Sequence, residues 1–199
     1  MTFLNLLEYI GTIAFAISGA MVGIENRMDI FGVVMLGLTT AVGGGILRDA
    51  LLGIHPPSIF NNPITLILAF VFSLACFKSK LRAYFKKAEL SIQIMDAIGL
   101  GIFTVVGVET TLAYNNFFLS VFIGTLTAVG GGALRDIFAH IDLAIFTRHF
   151  YACAAIIGSI TSFFLFKIND NLSIIVTFFV IFTLRMLAIK YKWNLPKAK

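Results

Sequence analysis

Thr40-Ala41-Val42-Gly43-Gly44-Gly45-Ile46-Leu47-Arg48-Asp49 returns as Thr127-Ala128-Val129-Gly130-Gly131-Gly132-Ala133-Leu134-Arg135-Asp136, with nine of ten positions identical at an offset of 87 residues. Agreement of that quality within one chain marks an internal repeat, and a repeat decides the fold before any single element does. Each copy interrupts an apolar run with three glycines and follows them with an Arg-Asp pair. Each glycine weakens a helix by about 1 kcal/mol relative to alanine. An arginine within an apolar run is expensive and is functional by default.

The surroundings are those of a membrane. Hydrophobic residues make up 59% of the chain and charged residues 13%, against about 25% charged in a soluble domain. The 199 residues suffice for one membrane domain, with no room for a separate soluble one. Met1–Ala20 does not read as a signal peptide, because it lacks a basic start and carries Glu8. The net charge of +5 does not point to nucleic acid, since the basic residues cluster in loops. Cys76 and Cys153 lie in apolar runs and read as small hydrophobes of helices.

At about 20 residues per span, seven transmembrane helices are predicted: Leu4–Ile24, Ile30–Ile54, Phe60–Phe77, Ile92–Ala113, Phe117–His140, Ala144–Phe166 and Leu172–Ile189. Short polar breaks separate most of them. The break after the third is strongly basic, with Lys78, Lys80, Arg82, Lys86 and Lys87 against Glu89. Seven spans place that loop on the same side as Arg27, Arg148 and the tail lysines Lys190, Lys192, Lys197 and Lys199. The side rich in lysine and arginine is cytoplasmic. The N-terminus is then expected outside and the C-terminus inside, with Tyr191 and Trp193 in the interfacial belt.

The repeat extends past the glycines. Glu8-Tyr9-Ile10-Gly11 aligns with Asp96-Ala97-Ile98-Gly99 at an offset of 88, as do Phe15 with Phe103 and Gly19 with Gly107. Each unit is three helices, residues 4–80 and 92–168, and residues 172–190 form a seventh helix without a counterpart. An odd number of spans turns the second unit upside down. The expected fold is therefore all-α and polytopic, two inverted three-helix repeats closed by a seventh helix, with the working site near the midplane.

Within that plan Gly43, Gly44, Gly45 and Gly130, Gly131, Gly132 fall near the middle of the second and fifth spans. Small residues serve close helix packing, but spacing of the GxxxG kind suffices for it. Three glycines in a row are instead expected to bend or unwind the helix, freeing carbonyls that replace part of a cation's hydration shell. Thr39, Thr40, Thr125 and Thr127 add hydroxyls that either line the same path or bond back to their own helix. The inversion brings Glu8 near the depth of Arg48, and Asp96 near that of Arg135, so each pair is expected to meet. Asp49 and Asp136 follow the arginines directly, and neighbours on a helix do not face each other. The arginines then either tie helices together or ring the mouths of a pore.

Other features carry less. Gly19 and Gly23 form a GxxxG pair suited to packing within the chain, Glu109 is expected at the interface, and the many phenylalanines read as lipid-facing bulk. His55, His140 and His149 share no ligand spacing, so no metal site is expected. No HExxH, GxSxG, P-loop or GxGxxG motif occurs, so neither an enzyme nor a cofactor is expected.

The duplicated TAVGGGxLRD, with Asp29-Ile30-Phe31-Gly32 before the second span and Asp96-Ala97-Ile98-Gly99-Leu100-Gly101 opening the fourth, resembles the prokaryotic trimeric intracellular cation channels. That family's domain is also catalogued as a glycine transporter. The resemblance implies a seven-helix protomer in a homotrimer in the inner membrane, each protomer holding a pore bent at Gly43–Gly45 and Gly130–Gly132. It implies potassium as the main permeant ion; bent-helix carbonyls and threonine hydroxyls form a looser cage than a ring of dedicated filter loops, so sodium is also expected to pass. A secondary transporter for glycine or another small amino acid would use the same inverted repeat, with the glycines as hinges. A purely structural membrane protein would not need two buried arginines.

Overall fold

The computed structural model describes residues 3–78, 88–147 and 150–193. The basic residues Lys80, Arg82, Lys86 and Lys87, together with Arg148, His149, Lys197 and Lys199, lie outside the described residues. Polar side chains start several helices by answering free amides. Asp29 accepts from Gly32 N at 2.8 Å, Asn116 from Leu119 N at 3.1 Å and Asn169 from Leu172 N at 3.0 Å. These side chains fix the N-termini of three helices. The second helix stops at Gly53, whose φ of 69° is one glycine adopts freely.

The long helices are α1 (Phe3–Glu25), α2 (Ile30–Leu52), α3 (Pro63–Lys78), α4 (Ala88–Glu109), α5 (Phe117–Phe138), α6 (Tyr151–Phe166) and α7 (Asp170–Tyr191). Three short turns join them: 3-10 turns at Ser58–Asn61 and Leu112–Tyr114, and a single α-helical turn at Ala144–Thr147. Among the described residues there is no strand. Five helices, α1, α2, α4, α5 and α7, are long and apolar enough to cross a membrane. The third and sixth predicted spans prove shorter. Each is a turn followed by a 16-residue helix, about 24 Å at 1.5 Å per residue, below a hydrocarbon core of about 30 Å. Pro63 opens α3, and left-handed Phe150 (φ 55°) separates the turn at Ala144–Thr147 from α6.

Two bundles form from consecutive helices. Within the first, α1, α2 and α3 pack on one another, and within the second α4, α5 and α6 do the same. The bundles meet where α1 crosses α4 and α2 crosses α5, and α7 lies against α4 and α6. The outer surface is apolar, with Phe31, Phe118 and Phe146 at 70%, 81% and 81% exposure, as bilayer-facing helices require. Phe15 and Phe103 depart from that expectation. Both are buried, and their rings stack in the core.

Candidate functional site

The three glycines do not unwind their helices. Both α2 and α5 are α-helical without interruption through Gly43–Gly45 and Gly130–Gly132, so the expected break that would free backbone carbonyls is absent. The glycines instead let two backbones touch. A Cβ on Gly44 would overlap the Thr127 carbonyl oxygen, and one on Gly131 would overlap the Thr40 carbonyl oxygen. A Cβ on Gly130 would stand 3.3 Å from Gly44 Cα. The contact is reciprocal under the repeat, so α2 and α5 cross at their glycines as two equivalent surfaces.

Thr40 and Thr127 belong to the same contact, not to an open path. Both are fully buried, and their hydroxyls donate to Leu36 O and Ile123 O at 2.7 Å. Gly19 of α1 and Gly107 of α4, equivalent in the repeat, make room for them. A polar side chain bonded back to its own helix presents little to a passing ion.

The arginines sit at the far ends of the crossing helices, each in a network. Arg48 Nε donates to Asp49 Oδ1 at 2.8 Å, and Arg48 Nη2 to Ser58 Oγ at 2.8 Å. Asp49 Oδ2 accepts from Ser58 N and Oγ at 2.7 and 2.6 Å. Arg135 Nε donates to Asp136 Oδ1 at 2.8 Å, and Asp136 Oδ2 accepts from Ala144 N at 2.8 Å. Each aspartate therefore holds the preceding arginine with one oxygen and the amide of the next short turn with the other. The expectation that Arg and Asp neighbours do not meet is thus corrected. The long guanidinium arm folds back over one helical step, and both groups are too buried to be satisfied by solvent.

The two networks differ in their third member. Arg135 Nη1 also donates to Asp96 Oδ1 at 2.6 Å and Ser18 Oγ at 2.8 Å. Arg48 makes no ion pair with Glu8. Glu8 and Arg48 instead line one cavity of about 240 Å³, with Gly45, Ser58, Phe103 and Glu109 among the other lining residues. Glu8 is near the start of α1 and Glu109 ends α4. Their shared cavity means that α1 and α4 run in opposite directions.

The cavity wall is polar and charged. Glu8 and Glu109 line it with one guanidinium, Arg48, whose charge the buried Asp49 answers from behind the wall. Asn5, Asn62 and Thr110 add polar lining. Glu109 is thus part of the cavity wall as well as a helix end. At the opposite node, Asp96 and Asp136 both pair with Arg135, and Arg185, a buried residue of α7, lies over the Tyr151 ring. Sequence reasoning missed Arg185, Ser18, Ser58 and Tyr151. The readable signal for Arg185 was its place inside an apolar run, the criterion already applied to Arg48 and Arg135. No group of three metal-ligating side chains converges among the described residues.

Comparison with known proteins agrees with this architecture. A family model described as Glycine transporter matches residues 5–80 and again 93–167. The UPF0126 inner membrane protein YadS of Escherichia coli K12 is 34% identical over 194 residues, covering 96% of this chain and 93% of its own. The UPF0126 membrane protein YvgT of Bacillus subtilis is 32% identical over 200 residues, covering 96% and 95%. Among solved structures, a TRIC cation channel is 40% identical with a TM-score of 0.89, covering 100% of this chain and 98% of its own. The TRIC trimeric intracellular cation channel orthologue from Rhodobacter sphaeroides is 29% identical with a TM-score of 0.89, covering 97% and 100%. The chain is therefore a member of the prokaryotic trimeric intracellular cation channel family, the family that the glycine transporter model describes.

Proposed function

We propose that this protein is a channel for monovalent cations, potassium foremost, with one pathway in each protomer of a homotrimer. The observation that carries the reading is the cavity beneath Glu8, Arg48 and Glu109. A surplus of carboxylates at a concave, polar mouth raises the local concentration of cations and lowers that of anions. Relatives that are TRIC cation channels supply the family context, and the trimer rests on the Rhodobacter sphaeroides orthologue's being a trimeric channel.

The protomer is read as seven spans in two inverted units, residues 4–80 and 92–168, with residues 172–190 closing the bundle. Support comes from one family model matching twice, from the opposed directions of α1 and α4, and from the reciprocal glycine contact. The membrane is the prokaryotic inner membrane, the N-terminus outside and the C-terminus cytoplasmic, by the lysine and arginine distribution. The Glu8–Arg48 cavity then opens outward. With both glycine helices unbroken there is no carbonyl cage, so sodium passes as well.

A secondary transporter of glycine or a small amino acid is the second reading. One observation favours it: a cavity at the Arg48 node and a closed Arg135 node have the form of one state of an alternating-access cycle. Purified protein in a planar bilayer separates the two. Discrete ohmic current steps are expected. Saturable counterflow without steps would overturn the channel reading.

A further inference from the structure

We propose that Tyr151, held in place by Arg185 of α7, is the plug that closes the second half of the pathway. The proposal rests on the permeation reading above. Under the repeat, each residue of the Glu8–Arg48 cavity has an equivalent around Arg135, so two cavities would be expected. Among the described residues the packing is looser around the first. Ala41, Val42 and Phe103 line it, Val42 half-buried and the other two at 4% and 6% exposure, whereas their equivalents Ala128, Val129 and Phe15 are at 0%, 3% and 1%.

The difference shows at one pair of glycines. A Cβ on Gly45 would find nothing nearer than Arg48 Nη2 at 4.0 Å. A Cβ on the equivalent Gly132 would meet Tyr151 Oη at 2.8 Å, with Asp96 Oδ1 at 3.5 Å and Arg135 Nη2 at 3.6 Å. The Tyr151 side chain therefore occupies the ground that is empty on the other side. It is itself buried, at 2% exposure.

Nothing in the first repeat corresponds to it. Tyr151 opens α6, and the residue that opens α3 is Pro63, which has no ring of that reach. Arg185 lies on α7, outside the repeat, and its guanidinium carbon lies 4.8 Å from the Tyr151 ring centroid. A desolvated cation over an aromatic face holds that ring in position. Two residues without a counterpart in the first unit, one of them on the seventh helix, thus fill the ground that is open beside Gly45.

The test reads access, not current, so it stands apart from the channel reading. In a background with Cys76 and Cys153 replaced by serine, Ala41→Cys and Ala128→Cys are treated with a charged, membrane-impermeant thiol reagent in detergent. Ala41→Cys is expected to react and Ala128→Cys to be protected. Adding Tyr151→Ala should speed labelling of Ala128→Cys by at least about tenfold, since a buried apolar thiol is inert and a hydrated one is not. Tyr151→Phe should leave it protected, because the ring does the filling. Arg185→Met should give an intermediate increase. It decides the question alone if Tyr151→Ala loses its melting transition. Protection that persists in the folded variants, or labelling of Ala128→Cys with Tyr151 intact, would overturn the proposal. Labelling that follows Tyr151 in a protein that passes no ions would leave the plug standing and remove the channel.

Discussion

The rings of Phe15 and Phe103 stack with centroids 5.2 Å apart and planes inclined by 17°. These two residues are equivalent in the repeat, and each sits on a glycine of the other half. A Cβ on Gly99 would overlap the Phe15 ring, and one on Gly11 would stand 3.2 Å from Phe103 Cε2. Phe103 also lines the open cavity, so the stack stands between that cavity and the closed half. Phe103→Ala is expected to cost about 3–5 kcal/mol of stability through the void it leaves. In a planar bilayer the same variant should raise single-channel conductance. A folded Phe103→Ala protein with unchanged current would show that the stack is packing alone.

The two glycine triplets should not tolerate substitution evenly. Gly44→Ala and Gly131→Ala drive a methyl group into a backbone carbonyl that cannot move aside, and loss of folded yield is expected for both. Gly45→Ala faces open space and should express and melt like the parent. Fluorescence-detected size-exclusion chromatography with thermal challenge makes the comparison, and equal loss at all three positions would mean that the crossing is not what the glycines serve.

Asp136 holds Arg135 and the amide of Ala144 at once. Asp136→Asn leaves a buried guanidinium short of one carboxylate, and breaking a buried pair costs about 3–5 kcal/mol. Asp96→Asn should cost less, since Asp136 still answers the charge. Melting temperatures of the two variants give the order, and a more damaging Asp96→Asn would reverse the roles assigned here.

The vestibule charge predicts a salt dependence. Glu8→Gln and Glu109→Gln should each lower conductance several-fold at about 0.02 M potassium chloride and hardly at all at about 1 M, where the screening length falls to about 3 Å. A loss of equal size at both concentrations would place these carboxylates outside the ion's approach.

Much of the architecture can be read from ten residues and their copy. The offsets at Gly11 and Gly99, Phe15 and Phe103, and Arg48 and Arg135 carry the pairing of helices, because equivalent residues of a repeat must pack equivalently. Depth along the helices brings Asp96 to the end where Arg135 lies, but it cannot say that the Glu8 side stays open. That turns on Tyr151, which has no counterpart at the start of α3, and on Arg185, which lies outside the repeat. The triple glycine does not unwind its helix, for a physical reason. Its helix penalty is real, yet the close crossing of α2 and α5 repays it and keeps both helices intact. The Arg-Asp neighbours mislead because the facing rule treats side chains as short, and arginine is long enough to fold back on the next residue. Phe15 and Phe103 are hidden by composition, since a chain with 21 phenylalanines offers no reason to single out two.

Cations, not anions or an amino acid, are proposed to pass through this protein. Reversal potentials of purified protein in a planar bilayer under a potassium chloride gradient test it most directly. Discrete steps are expected, reversing close to the potassium potential and shifting only modestly when sodium replaces potassium on one side. Reversal near the chloride potential would mean that Arg48 and Arg135 govern the path, and the cation channel would have to be given up.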